Sequence, residues 1–174
     1  MKAALGVVLA LGFALALAGC GYHVSGKSNK LPTNLRILAI PAFTNGSQVY
    51  RVEQDLTSAV VREFITRTHY QIINRQDGSA DATLQGTVLG VSVFPLTFDS
   101  RTNRVATVLV QVSSQVSLTD KKGKVLYSNP NYLFREQYQE SSSLSTFFQE
   151  ESPALQRLSR DFARALVSDI VENY

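Results

Sequence analysis

Residues 105–119 read VATVLVQVSSQVSLT. Val108, Val110, Val112, Val116 and Leu118 fall on one side of an extended chain, with Ser114 among them. Gln111, Ser113, Gln115, Ser117 and Thr119 fall on the other. An alternation of period two over so long a run predicts a strand with one buried face and one polar face. The residues that follow, Asp120-Lys121-Lys122-Gly123, have the composition of a hairpin turn. The return strand is expected over Val125–Tyr127 and Tyr132–Tyr138, interrupted near Asn129-Pro130. Upstream, Ala82–Phe94 reads as a strand stopped by Pro95, and Leu96–Arg104 as the loop between. Gly86 and Gly90 lie inside that strand, where a glycine marks a bulge or a close approach.

Working outward, Leu35–Phe43 (LRILAIPAF) is apolar at alternating and intervening positions, as expected of a strand covered on both sides. Val52, Leu56, Ala59, Val60 and Phe64 recur at helical spacing and predict a helix over about Val49–Arg67. Tyr70–Ile73 is a short extended segment. Leu155, Leu158, Phe162, Leu166 and Ile170 form the apolar stripe of a last helix, opened by Ser152 as N-cap and Pro153 at its first position. The expected fold is α+β: two helices packed on one face of a four-stranded, largely antiparallel sheet, a two-layer sandwich. The other sheet face, rich in Gln, Ser and Thr, is left to solvent, a partner or a lipid.

The chain has 174 residues, with a single Cys. Met1-Lys2 is a short positive segment, and Ala3–Ala18 is an almost unbroken apolar run that ends in Leu17-Ala18-Gly19-Cys20. That run has the anatomy of a secretory signal rather than of a membrane span, which needs about 20 apolar residues. Small residues before a Cys at its end form a bacterial lipobox. Residues 1–19 are therefore expected to be removed, and Cys20 to carry a thioether-linked diacylglycerol and an N-acyl chain as a durable anchor. Gly21 rather than Asp after Cys20 predicts sorting to the outer membrane. Residues 20–34 read as a polar tether and residues 35–174 as one domain.

Seventeen Lys and Arg against fourteen Asp and Glu give a net charge of +3, or +2 without Lys2. So small an excess argues against a nucleic-acid partner. A lone Cys excludes a disulfide framework and a multi-cysteine metal site. His23 lies beside the anchor and His69 at a helix–strand junction. Neither sits in a nucleophile or metal motif, so no enzyme and no cofactor is expected. Arg101 and Arg104 share one loop and are candidates for contact with the phosphates of an anionic glycolipid. Lys121, Lys122 and Lys124 share the hairpin turn at the other end of the strand.

Leu17-Ala18-Gly19-Cys20-Gly21-Tyr22-His23, Leu31-Pro32, Ile40-Pro41-Ala42-Phe43-Thr44-Asn45, Leu56-Thr57-Ser58-Ala59-Val60 and Ala80-Asp81-Ala82-Thr83-Leu84-Gln85-Gly86 follow one another in register along the chain. In this combination, which also includes Glu53, Arg67 and Tyr70, the sequence resembles the LptE family of outer-membrane lipoproteins. The resemblance implies a plug and assembly factor held largely inside an LptD β-barrel in a one-to-one complex, periplasm-facing at its anchor. It also implies contact with lipopolysaccharide on its way to the outer leaflet. Arg101 stands roughly where the family has a loop basic residue. A second basic position near the final helix is occupied here by Gln149-Glu150-Glu151. An auxiliary lipoprotein of a lipid-transport ABC system or a secretin pilotin is the alternative, and a periplasmic hydrolase built around His69 a third.

Cys20→Ala is expected to move the protein from the membrane to the soluble fraction with its far-UV circular dichroism unchanged. A soluble but unfolded variant would contradict the separation of anchor and domain.

Overall fold

The structure, a computed structural model, describes residues 31–32, 35–75, 78–139 and 153–172. The elements are β1 (Ile37–Ala39), β2 (Thr44–Asn45), α1 (Val52–Arg67), β3 (Gln71–Ile73), β4 (Ala82–Phe98), β5 (Val105–Asp120), β6 (Val125–Gln139) and α2 (Pro153–Glu172). Ser152 and its N-cap role lie outside the described residues, as do the leader, Cys20 and His23.

The α+β class and the two helices stand, but the sheet differs from expectation. It has six strands, ordered β3-β1-β4-β5-β6 with β2 also beside β4. It is mixed: β1 runs parallel to β3 and β4, and β2 parallel to β4, while β4–β5 and β5–β6 are antiparallel. The parallel half arises because α1 carries the chain back across the sheet before β3 begins, so β3 starts at the same end as β1. The run read as one strand, Leu35–Phe43, yields only β1. The chain turns off near Pro41 and meets β4 again at β2.

Pro95 does not end β4, which continues to Phe98 with Pro95 opposite Val108. It is tolerated because β4 has lost its second neighbour by then: β2 pairs with it only at Thr87 and Val88. Asn129-Pro130 likewise does not divide the return strand. It is taken up as an irregularity between the pairs Ser114–Tyr132 and Val116–Asn129.

β5 follows its alternation closely. Val108, Val110, Val112, Val116 and Leu118 are buried without measurable exposure. The helices seal them, α1 with Val52, Leu56, Ala59, Val60 and Phe64 and α2 with Leu155, Leu158, Phe162, Leu166 and Ile170, all in one core. Phe162 stands at its centre, meeting the rings of Tyr132 and Phe134 edge-on at 5.7 and 5.8 Å between centroids. Leu31, in the stretch read as tether, is also buried there. The two interior glycines do different jobs. Gly90 marks the bulge after Val88, and Gly86 lies under the Phe43 ring, where a Cβ would come within 2.7 Å of ring carbons.

Asp81 ties the start of the sheet together. Its Oδ2 accepts the N–H groups of Arg36 at 2.9 Å and Ile37 at 3.0 Å, and its Oδ1 lies 3.4 Å from the Lys121 ammonium. The backbone bonds, with Lys121 a lesser cause, hold its carboxyl below the ordinary carboxylate value.

Phe162→Ala is expected to cost about 3–5 kcal/mol and Gly86→Ala about 1–3 kcal/mol, read as lowered urea midpoints at unchanged slope. An unchanged midpoint in Phe162→Ala would contradict the packing described.

Candidate functional site

β5 is 16 residues long, so it places two basic turns about 50 Å apart. At one end Lys121, Lys122 and Lys124 surround Asp120, whose Oδ1 accepts the N–H groups of Lys122 and Lys124, each at 2.8 Å. Lys121 is turned to Asp81. This end is built as a structural turn.

The other end is the β4–β5 turn. Asp99 organises it: Oδ1 accepts Arg101 N–H at 3.0 Å, Thr102 N–H at 2.7 Å and the Thr102 hydroxyl at 2.9 Å. Its backbone closes the loop with Arg104 and Asn103 at 2.8 Å each, and Asn103 adopts the left-handed conformation at φ 53°. The Thr102 N–H, then the Thr102 hydroxyl and the Arg101 N–H, hold the Asp99 carboxyl below its ordinary value. The carboxylate is thus committed to the turn, and the arginine side chains are left exposed.

The two arginines singled out in the sequence share one turn, and one of them lines a cleft. Arg104 lines an open cleft with Asp99, Thr107, Tyr138, Gln139 and, from α2, Arg157; Arg101 stands on the turn outside it. Arg157 is the residue sequence reasoning missed. It sits on the polar side of α2, and only the return of that helix over the end of β6 brings it to the cleft of Arg104. The position read as family-basic, Gln149-Glu150-Glu151, lies outside the described residues. Tyr138 forms the inner wall. Its hydroxyl donates to Asp161 Oδ2 at 3.2 Å, and burial, then the charge of Asp161, push its pKa up, so it stays a neutral donor. With the Tyr138 hydrogen given to Asp161 and the Asp99 carboxylate held by the turn, Arg104 and Arg157 are the lining groups suited to phosphate or another polyanion.

The face of the sheet away from the helices carries Gln85, Ser92 and Gln115 exposed to solvent, with Gln111, Ser113 and Ser117 partly so. Arg135 is held across it to Gln111 by a 2.9 Å hydrogen bond. His69 is exposed at the end of α1. No group of three His, Cys, Asp or Glu able to hold a metal occurs among the described residues, and no described helix is long and apolar enough to cross a membrane.

These features define a small two-layer α+β domain with a mainly polar sheet face and a cleft lined by two arginines at one end. The chain belongs to the LptE family, described as lipopolysaccharide-assembly, which matches residues 35–170. It is a family of lipoproteins without enzymatic activity. No curated protein matches the sequence. Among solved structures, the hypothetical protein CT253 from Chlamydia trachomatis is similar at 10% identity and a TM-score of 0.56, over 80% of this chain and 97% of that one. A PelC dodecamer from Paraburkholderia phytofirmans is similar at 12% identity and a TM-score of 0.51, over 78% and 89%. Rare lipoprotein B from Shewanella oneidensis is 11% identical with a TM-score of 0.48, over 79% and 96%. The first two share the fold.

Because its folded pKa is depressed, Asp99 holds the turn above the ordinary carboxylate value and releases it as pH falls through the lowered one. The amide resonances of Arg101 and Thr102 should titrate with a midpoint below 3.8, the unperturbed value. A midpoint above 3.8 would contradict this geometry.

Proposed function

We propose that this lipoprotein plugs and helps assemble an LptD-like outer-membrane β-barrel in a one-to-one complex, anchored through acyl chains on Cys20, and contacts lipopolysaccharide bound for the outer leaflet. Membership of the LptE family over residues 35–170 carries this reading.

The physical features support it. The lumen of a large transmembrane barrel is polar, so a plug needs a polar surface rather than an apolar one. The Gln- and Ser-bearing face of the sheet supplies one, while the apolar side chains of the other face are used up under the helices. β5, with its 16 residues, has a length comparable to the full thickness of a bilayer, about 40–45 Å with headgroups.

Lipopolysaccharide carries phosphates on its sugar backbone, and the cleft of Arg104 and Arg157 has the charge to receive them. Arg101, on the turn itself, adds a second, more exposed cation. The role assigned from sequence to Arg101 and Arg104 together thus becomes a role for Arg104 with Arg157, and for Arg101 as an outlying contact. Nothing in the arrangement of His69 supports hydrolysis: its side chain is exposed and lies at the end of α1, away from the cleft.

Arg104→Ala/Arg157→Ala is expected to weaken lipopolysaccharide binding by about tenfold or more at low salt, with the difference shrinking at high salt. Arg101→Ala alone should have a smaller effect. Equal binding by the double variant at both salt concentrations would remove the glycolipid role from this cleft.

A further inference from the structure

β4 changes character along its length. From Ala82 to Val88 it is flanked on both sides, by β5 and by β1 and β2. From Leu89 to Phe98 it pairs with β5 alone among the described residues. Among the described residues, ten residues of strand edge are thus left without a neighbour. Such an edge offers backbone N–H and C=O groups in the spacing of a sheet ladder, a template that another extended chain completes.

Sheets protect free edges with charges, prolines or brevity. The other edges of this sheet follow that rule. β3 is only three residues long, and β6 carries Arg135, Glu136 and Pro130. β4 has no charged residue anywhere in Ala82–Phe98, and only Pro95 interrupts its donors. Its free half instead exposes large apolar side chains: Leu89, Phe94, Leu96 and Phe98 at 44–56%. On the helix side Val91 and Val93 are half-buried at the margin of the core.

We infer that the Leu89–Phe98 edge of β4 is a strand-docking site, filled by an extended, largely apolar segment of the β-barrel partner. This rests on the plug reading and says how the plug is held. The same edge already takes strands by backbone pairing, at Leu38–Ala82 and Thr44–Thr87, so the incoming segment extends an existing row. Its side chains on one face close over Val91 and Val93, and on the other they cover Leu89 and Phe94. The wall strands of a closed barrel have no free edge to offer. The docking segment therefore comes from a loop or terminal stretch of the partner that reaches into the lumen.

The test compares amide hydrogen exchange in the full lipidated chain, in detergent, with that in its purified complex. Amides over Gly90–Phe98 should exchange at least about tenfold more slowly in the complex, while those on the exposed side of α1 stay unchanged. Leu96→Lys should cut co-purification of the barrel by about tenfold, and Ile65→Lys, on α1, should leave it intact. A complex that forms with the β4 amides unchanged overturns strand docking and leaves the plug reading standing. Slow exchange already present in the free monomer, or a protected edge in a dimer of this chain, overturns it in favour of another occupant. Failure to isolate any barrel complex from the native membrane overturns both.

Discussion

Everything in this molecule follows from β5 being buried on one face only. Val108, Val110, Val112, Val116 and Leu118, with Ser114 among them, face α1 and α2 and share one core with them. The opposite face is mostly Gln, Ser and Thr, with Leu133 and Phe94 as exposed apolar exceptions. Phe162, edge-on to Tyr132 and Phe134, fixes how α2 lies across β6. That placement in turn carries Arg157 to the cleft that Arg104 and Tyr138 form at the far end of the sheet. The cation cleft is a consequence of core packing, since neither arginine has a local reason to be beside the other.

The two ends of the long ribbon are built on the same kind of turn. At the Asp120–Lys124 end, Asp120 is spent on the turn backbone and Asp81 on the start of β1 and on Lys121, while Lys122 and Lys124 are exposed. At the Asp99–Arg104 end, the single carboxylate is spent on the turn backbone, and the guanidinium groups face outward. This is also the end where, among the described residues, β4 runs on without a second neighbour and exposes Phe94, Leu96 and Phe98. Apolar and cationic groups therefore meet at one extremity of a domain whose remaining sheet surface is mostly polar, with Leu133 and Val125 exposed on β6.

Sequence reading recovered what is local. The alternation of β5, the stripes of α1 and α2, and the expectation that Gly86 and Gly90 mark a bulge or a close approach all rest on periodicity or on single-residue sterics. What it missed is non-local. β1 and β3 have three residues each, too few to show a period, and their parallel pairing is decided by the helix between them. Pro95 looked like a terminator because its cost depends on whether a neighbour needs its N–H, and that is a property of the sheet rather than of the dipeptide. Arg101 and Arg104 share the loop in which the sequence places them, but that Arg157 of α2 lines the same cleft as Arg104 is invisible without the topology. The expected lipobox at Leu17–Cys20 lies outside the described residues.

The central claim is that this domain is a plug for a large β-barrel. Affinity purification of the tagged, lipidated protein from detergent-solubilised outer membrane, with mass spectrometry and stoichiometry of what accompanies it, tests that claim directly. The account predicts one equivalent of a large LptD-like β-barrel. Recovery of ABC-transporter or secretin subunits in its place would contradict it.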